Sequence, residues 1–98
     1  MIDQFYNLGF FGPRIFTGNI SNEIQNLNNK YKMTPKQICN GNCDTYAFDL
    51  ADIVGGYIYE TKEDSHLPAH FVVKHNNRFY DAESPTGVNV ITELNIFQ

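Results

Sequence analysis

The sequence predicts one α+β domain, with a helical N-terminal half packed on a small antiparallel sheet. Apolar residues recur at helical spacing between residues 20 and 54, and short strand-like runs alternate with tight turns from residue 57 onward. Gly55-Gly56 separates the two patterns. The 98 residues suffice for one hydrophobic core and are too few for two, so we expect a single domain over residues 1–98.

The first 31 residues are predicted to form an arm and a helix. Residues 1–18 are rich in aromatic side chains and are interrupted by Gly9, Gly12 and Pro13, which favours an irregular arm packed on the core. An amphipathic helix of about three turns follows. Its apolar face is formed by residues at i, i+4, i+7 and i+11, namely Ile20, Ile24, Leu27 and Tyr31.

Two further helix starts follow. Thr34-Pro35-Lys36-Gln37 combines an N-cap threonine, a proline at the first helical position and a glutamine that completes a capping box. This helix is short because Asn40-Gly41-Asn42 interrupts it. The next helix begins at about Cys43, with Asn42 as its cap, and ends at Gly55-Gly56. Unless it is buried or bound to something, a cysteine in the first turn of a helix is placed for chemistry, because the positive helix end favours the thiolate.

The C-terminal half is predicted to be a sheet. Strands are expected at residues 57–60, 70–74 and 78–83, with a short last strand at 88–91. Asn76-Asn77 is predicted as a two-residue turn, because asparagine tolerates positive φ. In that register His70 faces Glu83 and Val72 faces Asp81, so His70 and Asp81 lie diagonally on one face and their side chains can meet. A three-residue turn would place them on opposite faces.

These elements bring four residue types with complementary chemistry to one site. Cys43 is the candidate nucleophile, and His70 is the candidate base that takes its proton and later protonates the leaving group. Asp81 would orient the imidazole and favour its cationic form. The Cys43 backbone amide and the Gln37 side-chain amide are candidate donors to a developing oxyanion.

This order of elements resembles the papain-like superfamily of cysteine enzymes, which includes papain-type peptidases, transglutaminases and arylamine acetyltransferases. Over about residues 37–83, Cys43 resembles the nucleophile, His70 the base and Asp81 the orienting acid. Gln37 lies six residues before Cys43, the spacing of the papain-type oxyanion-hole glutamine. The segments 70–73 and 79–82 look most like those of transglutaminase-type members. The resemblance implies a papain-like fold and acyl transfer or hydrolysis on an amide through a thioester.

Two other readings stay open. Cys39 and Cys43, like His66 and His70, lie four residues apart, which is a zinc-ligand interval, so these four residues are a candidate structural zinc site. A non-catalytic binding or inhibitor module on the same fold is the other alternative. The enzyme hypothesis requires no cofactor and no metal.

Charge and cysteine content limit the partners and the compartment. A net charge of −4 with seven scattered Lys and Arg residues argues against a nucleic-acid partner, and no apolar run approaches the ~20 residues of a membrane span. We expect a protein or peptide substrate. Without an export signal, the two cysteines are expected to be reduced thiols in a cytoplasm. This would be the cytoplasm of a bacterial or phage-infected cell, or of a cell into which the protein is delivered as an effector. In a peptidase or deamidase, water accepts the acyl group, and in a transglutaminase an amine does. The choice between them depends on the shape of the groove.

Overall fold

The computed structural model describes residues 5–62 and 69–98, which form an α+β domain of three helices and a four-stranded antiparallel sheet. This confirms the predicted α+β class, and the papain-like fold stays a prediction. The elements in chain order are β1 (Phe5–Phe11), α1 (Ile20–Tyr31), α2 (Pro35–Cys39), α3 (Cys43–Val54), β2 (Gly56–Thr61), β3 (Phe71–His75) and β4 (Arg78–Tyr80), followed by 3-10 turns at Ile91–Glu93 and Asn95–Phe97. The strands lie in the order β1-β2-β3-β4.

Residues 5–11 form an edge strand, so the prediction of an irregular arm is wrong here. β1 pairs with β2 over its whole length, with Phe5 opposite Thr61 and Phe11 opposite Gly56. The register shifts between Asn7 and Phe10, where Gly9 adopts a φ of 105°. A glycine and a bulge at this point interrupt the alternation by which a strand is recognised in sequence, which explains why the pattern did not reveal it.

The predicted helix boundaries are confirmed, and local capping explains two of them. The Thr34 hydroxyl accepts a hydrogen bond from the backbone N–H of Gln37 at 3.2 Å, and Gln37 Oε1 accepts one from the Thr34 N–H at 2.9 Å. α3 begins at Cys43 and ends before Gly55, which has a φ of 77°. Asn42 stands at the N-cap position of α3 but makes no side-chain cap hydrogen bond, so its predicted capping role is wrong.

The hairpin between β3 and β4 has the predicted register. Asn76 and Asn77 have φ values of 50° and 63°, and His75 lies opposite Arg78. β4 nevertheless ends at Tyr80, because the backbone turns at Asp81, whose carbonyl accepts from the Ser84 N–H at 3.1 Å.

Two predictions for this region are therefore wrong. The strand predicted at 78–83 corresponds to β4, which does not reach residue 83. The ladder pairs of residues 70 with 83 and 72 with 81 therefore do not form between the described strands. The predicted last strand at 88–91 is reduced to one bridge, between Val88 and Phe79, and Ile91 begins a 3-10 turn.

The core lies on both faces of the sheet. Consecutive residues of β3 point to opposite faces, so Val73 packs toward the helices and Val72 packs away from them. The helix-side cluster includes Ile24, Ile38, Leu50, Val54 and Ile58, and the smaller cluster on the other face includes Phe79, Ile91 and Leu94. α3 is therefore held against β3, which brings its N-terminus close to the beginning of that strand. Within residues 5–62 and 69–98, no helix has the length and apolar content needed to cross a membrane.

Candidate active site

A buried histidine–aspartate pair occupies the adjacent ends of β3 and the edge strand β4. His70 lies directly before β3 and Asp81 directly after β4, and His70 Nε2 is 2.9 Å from Asp81 Oδ2. The His70 side chain is 0 % exposed and that of Asp81 3 %. The predicted contact is thus present, although it arises at the ends of the strands and not between paired strand residues.

Backbone contacts hold both partners in place. The His70 N–H donates to Thr61 Oγ1 at 2.8 Å, and the His70 carbonyl accepts from the Thr61 N–H at 2.9 Å. Asp81 Oδ1 accepts from the backbone N–H of Glu83 at 3.0 Å, which leaves Oδ2 for the imidazole. Because a carboxylate only accepts hydrogen bonds, Nε2 carries the proton in this pair.

The other ring nitrogen of His70, Nδ1, is buried. Both thiols lie near the ring, but no polar atom of residues 5–62 and 69–98 meets hydrogen-bond geometry with Nδ1. An unpaired buried polar atom costs about 1–3 kcal/mol, and such atoms in native structures call for an explanation. When Nε2 carries the proton of a neutral imidazole, Nδ1 is the acceptor, so the free nitrogen is one that can take a proton.

The surroundings of His70 favour its cationic form. Burial lowers the pKa of the imidazole, but the hydrogen bond to Asp81, the two nearby thiols and the charge of Asp81 raise it to about 11. The cation–carboxylate pair is therefore the favoured state of this buried site at neutral pH.

Cys43 presents a half-buried thiol at the first residue of α3, beside His70. Burial raises the pKa of this thiol, but its contact with His70, a hydrogen bond from the Phe71 N–H and the charge of His70 together lower it below the ordinary value. The negative charge of Asp44 opposes this lowering. The net effect favours a thiolate that remains within reach of solvent.

Cys39 is the second thiol beside His70, and it differs from Cys43 in both exposure and pKa. It ends α2, and only 4 % of it is exposed. Burial raises the pKa of the Cys39 thiol, the charges of Asp81 and Glu83 add to the rise, and His70 opposes it. The Cys39 Sγ, a ring nitrogen of His70 and a carboxylate oxygen of Asp81 lie within 4.8 Å of one another. Sequence reasoning considered Cys39 only as a zinc ligand, since nothing in the α2 sequence signals its proximity to Asp81.

Three further residues bear on the predicted site, namely Gln37, His75 and His66. Gln37 is exposed, and its Oε1 is engaged by the Thr34 N–H; its amide NH2 as an oxyanion donor stays a prediction. His75 Nδ1 donates to the Gly55 carbonyl at 2.6 Å, so this histidine holds the helix–strand junction. His66, one of the four residues of the zinc alternative, lies outside the described residues. Within the described part of the chain, Asp81, Cys39 and His70 form a group of three possible metal ligands.

An aromatic ring that the sequence did not single out covers the histidine. The Phe97 ring meets the His70 imidazole edge-on, with centroids 5.8 Å apart and an angle of 79° between the planes. Phe97 belongs to the last 3-10 turn, which packs with the cluster of Val72 and Leu94. The C-terminal segment thus contributes to the burial of the His70–Asp81 pair.

Comparison of the chain with protein-family models, with curated proteins and with solved structures found no match.

Proposed function

We propose that this protein is a cysteine-dependent acyl hydrolase or acyltransferase acting on an amide of a protein or peptide. Cys43 is the nucleophile, His70 the general base and acid, and Asp81 the group that orients the imidazole. One observation carries the proposal: a buried His70–Asp81 pair leaves Nδ1 free beside a half-buried thiol at a helix N-terminus.

The proposed reaction begins at the Cys43 sulfur. The thiolate attacks the amide carbon, a C–S bond forms, and the carbonyl π electrons move to the oxygen. When the tetrahedral intermediate collapses, the C–N bond breaks and the His70 cation protonates the departing amine. A thioester on Cys43 remains. Water or an amine then attacks it, His70 removes a proton from the attacking group, and the thiolate leaves again.

Asp81 supports both proton transfers without exchanging a proton itself. Its hydrogen bond keeps the proton on Nε2, so the tautomer that forms after proton loss has its lone pair on Nδ1. Its charge also stabilises the imidazolium that protonates the amine. Because both side chains are almost fully buried, this interaction is weakly screened by solvent.

Cys43 suits the nucleophilic role better than Cys39 does. A thiol must be ionised and accessible to attack a polypeptide amide. The pKa of the Cys43 thiol is lowered and its side chain is half-buried, whereas the pKa of the Cys39 thiol is raised and only 4 % of it is exposed. The assignment of two adjacent thiols to different roles follows from this contrast.

The first turn of α3 supplies donors for the oxyanion. The first hydrogen bond to the α3 N-cap carbonyl comes from the Tyr46 N–H, which bonds Asn42 O at 2.9 Å. The N–H groups before it, including that of Cys43, belong to the set that a helix start leaves without intrahelical acceptors. The Gln37 side chain, six residues before the nucleophile, is the candidate for a second donor.

Site-resolved alkylation and acylation test the proposal. With EDTA present at pH 7, iodoacetamide should modify Cys43 much faster than Cys39, as read by mass spectrometry of cysteine peptides. A p-nitrophenyl ester should leave an acyl group on Cys43. His70→Ala should remove the preference, and His75→Gln, which alters a histidine outside the site, should keep it.

Equal and slow labelling of both cysteines would contradict the proposal. In that case a non-catalytic binding module on the same scaffold becomes the better account.

A further inference from the structure

Three buried side chains meet where α2, β3 and β4 converge. Cys39 ends α2, His70 precedes β3 and Asp81 follows β4, and one donor atom from each lies within 4.8 Å of the other two. We call this set the buried triad. The proposed acyl chemistry uses His70 and Asp81 but gives no task to Cys39.

We propose that the buried triad is a binding site for a thiophilic divalent cation of the zinc type, and that the bound ion switches the cysteine chemistry off. The site differs from the zinc set predicted from sequence, because it includes Asp81 and does not include Cys43, while His66 lies outside the described residues. The binding part of the proposal is independent of the proposed function, and the inhibitory part rests on it.

The ligand types fit such an ion. Thiolate, imidazole and carboxylate are the protein ligands of Zn²⁺, and sites with three protein ligands keep a fourth position for another group. Here water would fill the fourth position. Mg²⁺ and Ca²⁺ prefer all-oxygen sites, so the cysteine and histidine of this set select against them.

The geometry requires only small movements. Metal–ligand bonds of 2.0–2.3 Å place the donor atoms of a tetrahedral site about 3.3–3.8 Å apart. The 2.9 Å separation of His70 Nε2 and Asp81 Oδ2 must therefore widen by about 0.5 Å, and the longest separation, at most 4.8 Å, must shorten by about 1 Å. Rotation of side chains provides shifts of this size without moving the strands or the helix.

The charges also balance. A thiolate from Cys39 and the carboxylate of Asp81 neutralise a divalent cation, while His70 binds as neutral imidazole. The ion thus replaces the proton on the Cys39 sulfur and the proton between Nε2 and Oδ2, and both are released to solvent. The filled site contains no uncompensated charge, which is the condition for burying ions at low cost.

Occupancy of the site would remove the base. Binding at Nε2 ends the hydrogen bond to Asp81, so the imidazole can no longer alternate between its cationic and neutral forms during proton transfer. The acyl chemistry proposed for Cys43 should therefore stop when the site is filled and return when a chelator removes the metal.

Cobalt absorption and zinc competition test the site directly on the full-length protein kept reduced. One equivalent of Co²⁺ should give thiolate-to-metal charge-transfer absorption. This absorption should disappear when Zn²⁺ displaces the bound Co²⁺ or when EDTA removes it. Zn²⁺ should raise the thermal midpoint, and Mg²⁺ at the same concentration should not. A colourless cobalt titration together with an unchanged midpoint would overturn the proposal.

Single substitutions identify the ligands. Cys39→Ser and Asp81→Asn each remove one proposed ligand, and each should weaken zinc binding by more than the ~10–100-fold that loss of a supporting residue costs. Cys43→Ser leaves the triad intact and should keep affinity within about tenfold. Circular dichroism of each variant without metal establishes that it is folded. Loss of cobalt absorption in Cys43→Ser with retention in folded Cys39→Ser would overturn the assignment.

The inhibitory part has its own measurement. Acyl-enzyme formation from the p-nitrophenyl ester is compared with and without Zn²⁺ in the wild-type protein and in Cys39→Ser, because Cys43→Ser lacks the nucleophile. In the wild-type protein, the Zn²⁺ concentration that halves acylation should equal the midpoint of Zn²⁺ binding. In Cys39→Ser, acylation with and without Zn²⁺ should be equal. If cobalt binds but the ester never acylates Cys43, the proposed function fails and the metal site stands. If the ester acylates Cys43 but cobalt does not bind, the metal site fails alone.

Discussion

Replacing Asp81 by asparagine is the most informative single change, because it removes a charge from a buried contact and keeps the shape. Asparagine can still accept a hydrogen bond from Nε2 where Oδ2 now lies at 2.9 Å. The imidazole, however, would remain 0 % exposed without the Asp81 anion. Burial lowers the pKa of a histidine, and only the two nearby thiols would still oppose it, so a smaller fraction of His70 should be cationic at pH 7 in this variant. Cys43 then loses part of the cationic charge that favours its thiolate.

The size of the effect follows from the ionisation of a thiol. A thiol with the ordinary pKa near 8.5 is about 3 % ionised at pH 7, so loss of a fully formed thiolate lowers its concentration by at most ~30-fold. The greater nucleophilicity of a more basic thiolate returns part of this loss, so we expect alkylation to slow by about 3- to 30-fold. The ratio of the wild-type alkylation rate to that of Asp81→Asn should grow by about tenfold for each pH unit below 7, for as long as the wild-type thiol stays ionised.

Alkylation rates of Cys43 between pH 5 and 8 with EDTA present measure this effect; they are compared as absolute rates, because the pKa of Cys39 also depends on Asp81 and Glu83. Glu83→Gln is the matched control. Glu83 is half-buried and lies two residues after Asp81, so this substitution also removes one negative charge near the site. The lost charge assistance in the His70 hydrogen bond should also cost about 1.5–3 kcal/mol of unfolding free energy, measured by urea denaturation. A folded Asp81→Asn protein in which Cys43 reacts at the wild-type rate throughout this range would refute the reasoning.

Four further predictions concern the surroundings of the site. Because the pKa of His70 is raised to about 11, its stabilising contribution should be complete below pH 6.5 and decline above it by up to about 1.4 kcal/mol per pH unit; urea titrations should show this decline in the wild-type protein, and an equal slope in Asp81→Asn would contradict it. His75→Ala should cost about 1–3 kcal/mol, because the Gly55 carbonyl loses its donor at 2.6 Å, while Cys43 alkylation stays unchanged; slower alkylation would place His75 in the mechanism. Gly12→Ala should prevent stable folding, since its Cβ would lie 1.8 Å from the Ala51 carbonyl oxygen at a φ of +87°. Gly41→Ala, with open space around it, should change the thermal midpoint little. Comparable midpoints of the two variants would count against the packing of β1 on α3. Gln37→Ala should lower the free energy of unfolding by about 1 kcal/mol, because it removes the capping box. A further ~10²-fold loss of ester turnover with unchanged alkylation would identify Gln37 as an oxyanion donor. Unchanged turnover would limit Gln37 to capping.

The sequence predicted well wherever a structure is decided by neighbours along the chain. Thr34 and Gln37 form their capping box, Asn76 and Asn77 form the turn, and Gly55 ends α3 with positive φ. Each of these depends on hydrogen bonds or backbone angles within a few residues. The hairpin register then followed from the turn, and with it the approach of His70 to Asp81.

Prediction failed where distant partners decide the structure. β1 is a strand because β2, about 50 residues later, supplies its hydrogen bonds, and its own sequence contains a bulge at Gly9 that breaks the alternation. One failure is local: β4 stops at Tyr80 because Asp81 begins a turn, whereas β-propensity alone would continue the strand. Phe97 reaches His70 only because the chain returns across the sheet after β4.

The two cysteines show the division most clearly. From the sequence alone, Cys43 stands at the start of a helix and Cys39 four residues earlier, and nothing in that spacing tells which thiol is buried or which carboxylate each one meets. Packing of α2 and α3 against the ends of β3 and β4 decides it: Cys39 is enclosed near Asp81, where its pKa rises, and Cys43 stays half-buried beside His70, where its pKa falls. Local chemistry along the chain thus determined the elements and the residue types of the site. Burial and charge, which exist only after the elements pack, decided what each thiol can do.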